Sequence, residues 1–87
     1  MGQDLLLDFP CDVPIKVFGR NAPGFRDSAL SIMADHWDDL PLERVTERLS
    51  RGGSYLSLTI NVYAESREQL DAVYRDLTAS PGILMVL

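Results

Sequence analysis

Apolar and polar residues alternate in two stretches of the chain, and this period of two is typical of strands with one covered face. In residues 13–19 Ile15 and Val17 alternate with Lys16 and Phe18, and Phe18 falls on the less covered face. In residues 55–63 four aliphatic residues alternate with polar or aromatic ones without interruption. The second pattern predicts a central strand with one fully apolar face.

A helical period begins at Phe25, where apolar positions recur at i, i+4, i+7 and i+11. This spacing predicts an amphipathic helix that ends near Asp38. Asn21 or Ala22 is the expected N-cap, and Pro23 suits the first turn, where a missing N–H costs nothing.

A second helix is predicted after Ser66, which opens an S-x-x-Q capping box. The apolar positions that follow are spaced i, i+3, i+4 and i+7, and they are Leu70, Val73, Tyr74 and Leu77. Pro81 and Gly82 stop this helix, and residues 83–87 form a last apolar strand.

In residues 42–50 apolar and polar side chains alternate imperfectly. Val45 and Leu49 lie on one side, but Glu47 interrupts it. Such a strand suits the edge of a sheet, where an inward charge discourages pairing with foreign chains. Gly52 and Gly53 follow and are expected to supply the positive φ angles of a tight hairpin.

The resulting element order is β-α-β-β-α-β in an α+β domain. With right-handed crossovers this order gives the ferredoxin-like two-layer sandwich, a four-stranded antiparallel sheet with two helices on one face. The length of 87 residues fits one such domain, residues 1–87, with an irregular lead-in over residues 1–12.

One face of the predicted sheet is left without helices. The side chains proposed as an interaction surface on that face are Phe18, Arg44, Arg48, Tyr55, Thr59 and Tyr63. Aromatic side chains there indicate either a binding patch or only the general preference of strands for tyrosine.

Composition limits the partners and the location. Thirteen acidic and eight basic residues give a net charge of −5, which disfavours nucleic acid and anionic membranes. An RNA-recognition domain shares this fold, but its aromatic sequence motif is missing here. The single cysteine, Cys11, forms no internal disulfide, and the N-terminal residues do not resemble a targeting signal. We therefore expect a cytoplasmic protein.

Neither a catalytic site nor a metal site is predicted, and no cofactor is expected. Cys11 lacks a neighbouring histidine or basic cluster, and a copper chaperone of this fold needs two cysteines. The acidic stretch around His36 allows a weak cation site, but His36 also continues the apolar stripe of the first helix, which favours a structural role.

Residues 17–26 form the segment in which a function is most expected, and two families are similar to it. The Gly24-Phe25-Arg26 sequence resembles a shortened acylphosphatase loop, which implies phosphate binding by backbone amides and Arg26. The asparagine that positions water in that family has no counterpart in the second strand. Asn21, Pro23 and Gly24 are similar to the strand-to-helix turn of ACT domains, which implies a small ligand at the helix N-terminus. An ordinary helix start is the third interpretation.

Over nearly its whole length the chain resembles the YbeD-like family of small bacterial proteins. The residues that carry the match include Leu7-Asp8-Phe9-Pro10, Lys16-Val17-Phe18-Gly19, Gly53-Ser54-Tyr55, Ser57-Leu58-Thr59-Ile60-Asn61, Leu70, Tyr74, Leu77 and Met85-Val86-Leu87. The resemblance implies an ACT-like fold and, since family members often lie beside genes for lipoate attachment, an accessory role in that pathway. The Pro23-Gly24 turn and Arg26 depart from the family pattern.

These observations favour a non-catalytic regulatory or binding module. Its open sheet face is expected to bind a second copy or another protein, and its Asn21–Gly24 turn a small molecule. A weak acylphosphatase-like hydrolase is one alternative. A structural protein that adds its edge strand to another sheet is the other.

Overall fold

The computed structural model describes residues 8–87. Its elements are β1 (Cys11–Arg20), α1 (Phe25–Ala34), a short 3-10 helix (Leu42–Arg44), β2 (Val45–Leu49), β3 (Tyr55–Ala64), α2 (Arg67–Ala79) and β4 (Ile83–Val86). The predicted element order is confirmed. The expectation of an untargeted N-terminus and the first seven residues of the expected lead-in lie outside the described residues.

The four strands form one antiparallel sheet in the order β2-β3-β1-β4. β1 and β3 therefore occupy the centre, as the sequence pattern predicts for β3, and β2 lies at an edge, as its imperfect alternation predicts. Across the central pair Ile15 lies opposite Ile60 and Val17 opposite Leu58, and all four side chains are fully buried. The fixed register places Ile15 and Val17 of β1 on the same face of the sheet as the aliphatic side chains of β3, whereas Phe18 lies on the other face.

Both helices cover that face and complete a single core. The buried side chains come from the sheet face and from one stripe of each helix, and they are Ile15, Val17, Phe25, Ala29, Met33, Leu56, Leu58, Ile60, Val62, Ala64, Leu70, Val73, Leu77 and Ile83. Within residues 8–87, no helix is both long enough and apolar enough to cross a membrane.

The start of α2 matches its sequence signal closely. The Ser66 hydroxyl accepts a hydrogen bond from the Gln69 N–H at 3.1 Å. The Gln69 side chain in turn accepts one from the Glu65 N–H at 2.8 Å. Both ends of the capping box therefore satisfy N–H groups that would otherwise lack partners at a helix start.

The start of α1 differs from the prediction, because its N-cap is Gly24 rather than Asn21 or Ala22. Gly24 has a φ of 91°, so the helix cannot begin before it. Pro23 consequently lies in the preceding turn and not in the first helical turn. α1 also ends at Ala34, four residues before Asp38, where the following acidic residues oppose the helix dipole.

The strand boundaries differ by a few residues as well. β1 begins at Cys11, so the irregular lead-in ends earlier than predicted. The predicted strand over 42–50 divides into the 3-10 helix and β2, since Arg44 N–H bonds the Pro41 carbonyl at 3.0 Å. In the β2–β3 hairpin only Gly53 has a positive φ, and Gly52 does not.

Candidate functional site

Two turns that are far apart in the sequence meet at one end of the sheet and enclose a groove of about 480 Å³. One turn joins β1 to α1, and the other joins α2 to β4. We call this space the turn groove, and its lining residues are Arg20, Ala22, Pro23, Gly24, Phe25, Ser28, Ser80, Pro81, Gly82, Ile83 and Leu84. Its volume lies within the range of small-molecule sites.

Gly19 brings the two walls of the turn groove together. A Cβ at this position would lie 2.8 Å from the Gly82 carbonyl oxygen and closer still to the ring of Phe25. The bare backbone of β1 therefore lets Phe25 pack directly over it. The signal for this role in the sequence is a glycine inside a predicted strand, which indicates a close approach of another group.

The N-terminus of α1 opens into the turn groove. Among the described residues no side chain caps this helix, and nothing lies within 4 Å of the Cβ position at Gly24. A helix N-terminus combines unpaired N–H groups with the positive end of the helix dipole. The N–H groups at this end of the groove favour a ligand that carries an anionic group, and Arg20 also contributes to the lining of the groove.

Asn21 is not brought together with the other two predicted ligand residues. Pro23 and Gly24 line the turn groove, but Asn21 lies against the β2–β3 hairpin. Its side-chain amide donates a hydrogen bond to the Gly53 carbonyl at 3.0 Å, and its own N–H donates to the Ser54 carbonyl at 2.9 Å. The contacts of Asn21 therefore fix the position of the turn relative to the hairpin.

Arg26, the residue that suggested an acylphosphatase loop, points to another part of the molecule. Its guanidinium forms an ion pair with Glu47 of β2 and does not line the turn groove. Glu47 lies opposite Leu58, on the helix-covered face, so the inward charge predicted for this edge strand has a partner from α1. This ion pair separates Arg26 from the groove where a phosphate would lie.

The sheet face opposite the helices, which we call the open face, carries aromatic and apolar side chains at one end. On β1 Phe18 lies opposite Ser57 of β3, and Arg20 lies opposite Tyr55. The guanidinium of Arg20 sits 5.6 Å from the centre of the Tyr55 ring, within the range of a cation–π contact. Tyr55 nevertheless keeps 47% of its surface exposed.

β4 extends this apolar area. Met85 lies opposite Phe18, and Leu87 exchanges backbone hydrogen bonds with Lys16 at 3.0 and 2.8 Å. Met85 is 48% exposed and Leu87 is 61% exposed. The register therefore adds Met85 and Leu87 to the apolar side chains of the open face.

The three aromatics of the open face do not form one cluster. Phe18 and Tyr55 are diagonal neighbours on adjacent strands. Tyr63 lies eight residues along β3 from Tyr55, roughly 26 Å away at the rise of an extended strand. Its neighbourhood contains Asp12 directly opposite. Tyr63 therefore belongs to the far end of the sheet and not to the apolar area.

The remaining predicted surface residues are likewise spread along the open face, from its aromatic end to its far end. Thr59 is half-buried in the middle row, between Thr46 and Lys16. Arg48 lies beside Ser57 at the aromatic end. Arg44 contacts Asp12 at 3.2 Å and the Asn61 carbonyl at 3.5 Å, toward the far end.

The acidic stretch after α1 does not assemble a metal site. His36 Nε2 lies 2.7 Å from Asp76 Oδ2 in α2, and the Trp37 indole donates to the Tyr63 carbonyl at 2.9 Å. Among residues 8–87 no three histidine, cysteine or carboxylate side chains come close enough to hold a metal ion. His36 and Trp37 instead tie the end of α1 to its neighbours.

The strand order and the two helices on one face define a ferredoxin-like domain. Among solved structures the chain is similar to the ACT domain of the GTP pyrophosphokinase of Chlorobium tepidum, with a TM-score of 0.65 and 13% identity over 87% of this chain and 94% of that one. It is also similar to the C-terminal domain of the MgtC protein of Mycobacterium tuberculosis, with a TM-score of 0.69 and 16% identity over 93% and 88% of the two chains. At these identities the likeness shows the fold alone.

The chain belongs to the family described as "Protein of unknown function (DUF493)", whose model matches residues 4–87. A UPF0250 protein of Paraburkholderia phytofirmans is 43% identical over 85 residues, which cover 98% of this chain and 96% of the relative. A UPF0250 protein of Nitrosomonas europaea is 41% identical over the full length of both chains. The predicted resemblance to the YbeD-like family is confirmed, and the names of these relatives indicate no catalytic function.

Proposed function

We propose that this protein is a non-catalytic binding module whose open face associates with another protein. The observation that carries the proposal is the apolar area formed by Phe18, Tyr55, Met85 and Leu87. These side chains come from three adjacent strands and, for Leu87, from the residue that follows β4, and they lie on the face that no helix covers. A contiguous exposed apolar area on a small domain is typical of an interaction site.

The proposal is tested by capturing partners from a bacterial lysate with the tagged wild-type chain and with Met85→Ser. We expect a partner that binds the wild type and is lost from Met85→Ser. Leu42→Ser is the matched control, since Leu42 is an exposed aliphatic residue in the 3-10 helix, outside the sheet. Equal recovery by all three proteins, or no specific partner for any of them, contradicts the proposal.

The turn groove is proposed as a second, regulatory site for a small anionic molecule. Its support is the uncapped N-terminus of α1, the open approach at Gly24 and the presence of Arg20 in the lining. The predicted roles of Pro23 and Gly24 belong to this proposal, and Asn21 enters it by holding the turn in position.

Titration of isotope-labelled protein with amino acids and with lipoate tests the small-ligand site. We expect shifts of backbone amide resonances around the β1–α1 turn, and their loss in Ser28→Tyr, which fills the groove from an exposed position on α1. Arg75→Tyr on α2 is the control for a bulky surface substitution. Shifts that persist in Ser28→Tyr, or that never appear, contradict a ligand in this groove.

The absence of catalysis is part of the proposal and takes its support from the contact between Arg26 and Glu47. A phosphate-binding arginine would have to leave this ion pair to reach the turn groove. An assay with benzoyl phosphate is expected to show no turnover. Turnover that is lost in Arg26→Ala would favour the acylphosphatase-like alternative. The proposal also keeps the predicted cytoplasmic location.

A further inference from the structure

The open face is basic, although the chain as a whole carries a net charge of −5. Its strands present Lys16, Arg20 and Arg48, and Arg44 lies at its far end. The carboxylate among them, Asp12, is already paired with Arg44 at 3.2 Å. The acidic side chains lie mainly in the helical layer and its loops, and they include Asp27, Asp35, Asp38, Asp39, Glu65, Glu68, Asp71 and Asp76.

Three of the open-face cations have no carboxylate partner among the described residues. These cations are Lys16, Arg20 and Arg48. Among the described residues, Arg20 is the one of the three whose charged group has a close contact, and that contact is with the Tyr55 ring. The register places them around Phe18: Lys16 and Arg20 two positions away on the same strand, and Arg48 two strands across. Unpaired cations around an apolar centre are complementary to a partner with carboxylates around an apolar residue.

A small hollow on the open face is the place where the apolar side chain of such a partner would bind. It encloses about 180 Å³ at the hairpin end of the open face, and its lining includes Phe18, Arg48, Tyr55 and Ser57. This volume is below the range of small-molecule sites, which begins at roughly 300 Å³. It suits a single apolar side chain, the kind of anchor around which protein interfaces are built.

We infer that the open face binds an acidic segment of another protein, which places one apolar side chain in the hollow and carboxylates against Lys16, Arg20 and Arg48. The inference rests on the proposed function and specifies its partner. Two copies that met through their open faces would bring these unpaired cations together, which disfavours a face-to-face homodimer.

Nucleic acid is the other polyanion that a basic face with aromatics can attract. Base stacking needs free ring faces, whereas Arg20 occupies a face of Tyr55 and Phe18 is half-buried. A nucleic acid strand also brings a charge with every phosphate to a chain that is acidic overall. A short acidic peptide segment, in contrast, contacts only the basic open face and stays away from the acidic helical layer.

The test is selection of displayed random dodecapeptides on the wild-type chain, followed by affinity measurements with the synthesised winners. We expect enriched peptides to carry aspartate or glutamate on both sides of an apolar residue. Their affinity should fall roughly threefold to tenfold in Arg48→Glu, as expected for reversing a rim charge. Arg75→Glu, an exposed arginine of α2 with the same change in net charge, should bind like the wild type.

The other outcomes separate the inference from the proposed function. Enriched peptides without excess acid that lose binding in Met85→Ser would overturn the acidic partner and leave the open face as a binding surface. Peptides that bind Arg48→Glu and Met85→Ser as well as the wild type, or no enriched peptide at all, would contradict both. Binding of oligouridylate that Arg48→Glu abolishes, without enrichment of acidic peptides, would overturn the inference in favour of RNA.

Discussion

Replacing Gly19 with alanine perturbs the point where β1, α1 and the α2–β4 turn meet. The added Cβ would lie 2.8 Å from the Gly82 oxygen and still closer to the Phe25 ring. Forcing an extra carbon into packed surroundings costs about 1–3 kcal/mol. Alanine restricts the unfolded chain and returns about 0.4–1 kcal/mol of this. The difference between these ranges is a net loss of up to about 2.6 kcal/mol, and we expect Gly19→Ala to lose about 1.3 kcal/mol of unfolding free energy, the middle of that range.

Urea unfolding followed by circular dichroism measures this loss. For a domain of this size about 1 kcal/mol corresponds to a fall in melting temperature of roughly 4–8 °C. Gly52→Ala is the matched control, because nothing in the described chain lies within 4 Å of its Cβ position and its φ is not positive. We expect the control to be neutral or slightly stabilised.

A double-mutant cycle identifies the cause of the lost unfolding free energy. In a Phe25→Ala background the ring that meets the new Cβ is gone, so Gly19→Ala should cost less than it does in the wild type. Contacting residues commonly show coupling of about 0.5–3 kcal/mol. A fully stable Gly19→Ala, or a loss that Phe25→Ala leaves unchanged, would refute the proposed close approach.

Two further predictions concern single hydrogen bonds, and a third concerns the pKa of a partly buried tyrosine. Ser66→Ala removes the cap that accepts from Gln69, and chemical denaturation should show a loss of about 1 kcal/mol. Asn21→Ala removes the bond between the β1–α1 turn and the hairpin, and it should cost about 0.5–1.5 kcal/mol in the same assay. Burial raises the pKa of Tyr74 above its ordinary value of 10.0. The protonated phenol therefore contributes to stability below pH 10, and this contribution is lost as the pH rises through the higher pKa of the folded state. An absorbance titration of phenolate should detect the late ionisation, and the stability of Tyr74→Phe should fall less over that pH range.

The elements with the most regular patterns were the ones that the sequence predicted best. The alternation in residues 55–63 corresponds to β3, and the capping box at Ser66 marks the start of α2 to the residue. Local chemistry decides both features, because side-chain alternation and a cap involve near neighbours. The start of α1 was predicted wrongly, since the positive φ of Gly24 belongs to a turn that Pro23 and its surroundings form together.

The candidate sites were predicted less well, because they depend on contacts between distant parts of the chain. The turn groove forms only where Gly19 and Gly82 meet, and no local pattern links these positions. The aromatic residues of the predicted surface all lie on the open face, but only the register shows that Tyr63 lies apart from Phe18 and Tyr55. The sequence pattern places Arg44 and Arg48 on the open face, and the pairing of β1 with β3 shows that Lys16 and Arg20 lie on either side of Phe18 there.

The most direct test of the open face uses methionine methyl groups labelled for nuclear magnetic resonance. Met85 lies exposed on the open face, whereas Met33 is fully buried in the core and serves as an internal reference. When the partner captured from the lysate is added, the account predicts a shifted or broadened Met85 methyl signal and an unchanged Met33 signal. A bound partner that leaves the Met85 signal unchanged would show that binding occurs elsewhere and would contradict the account.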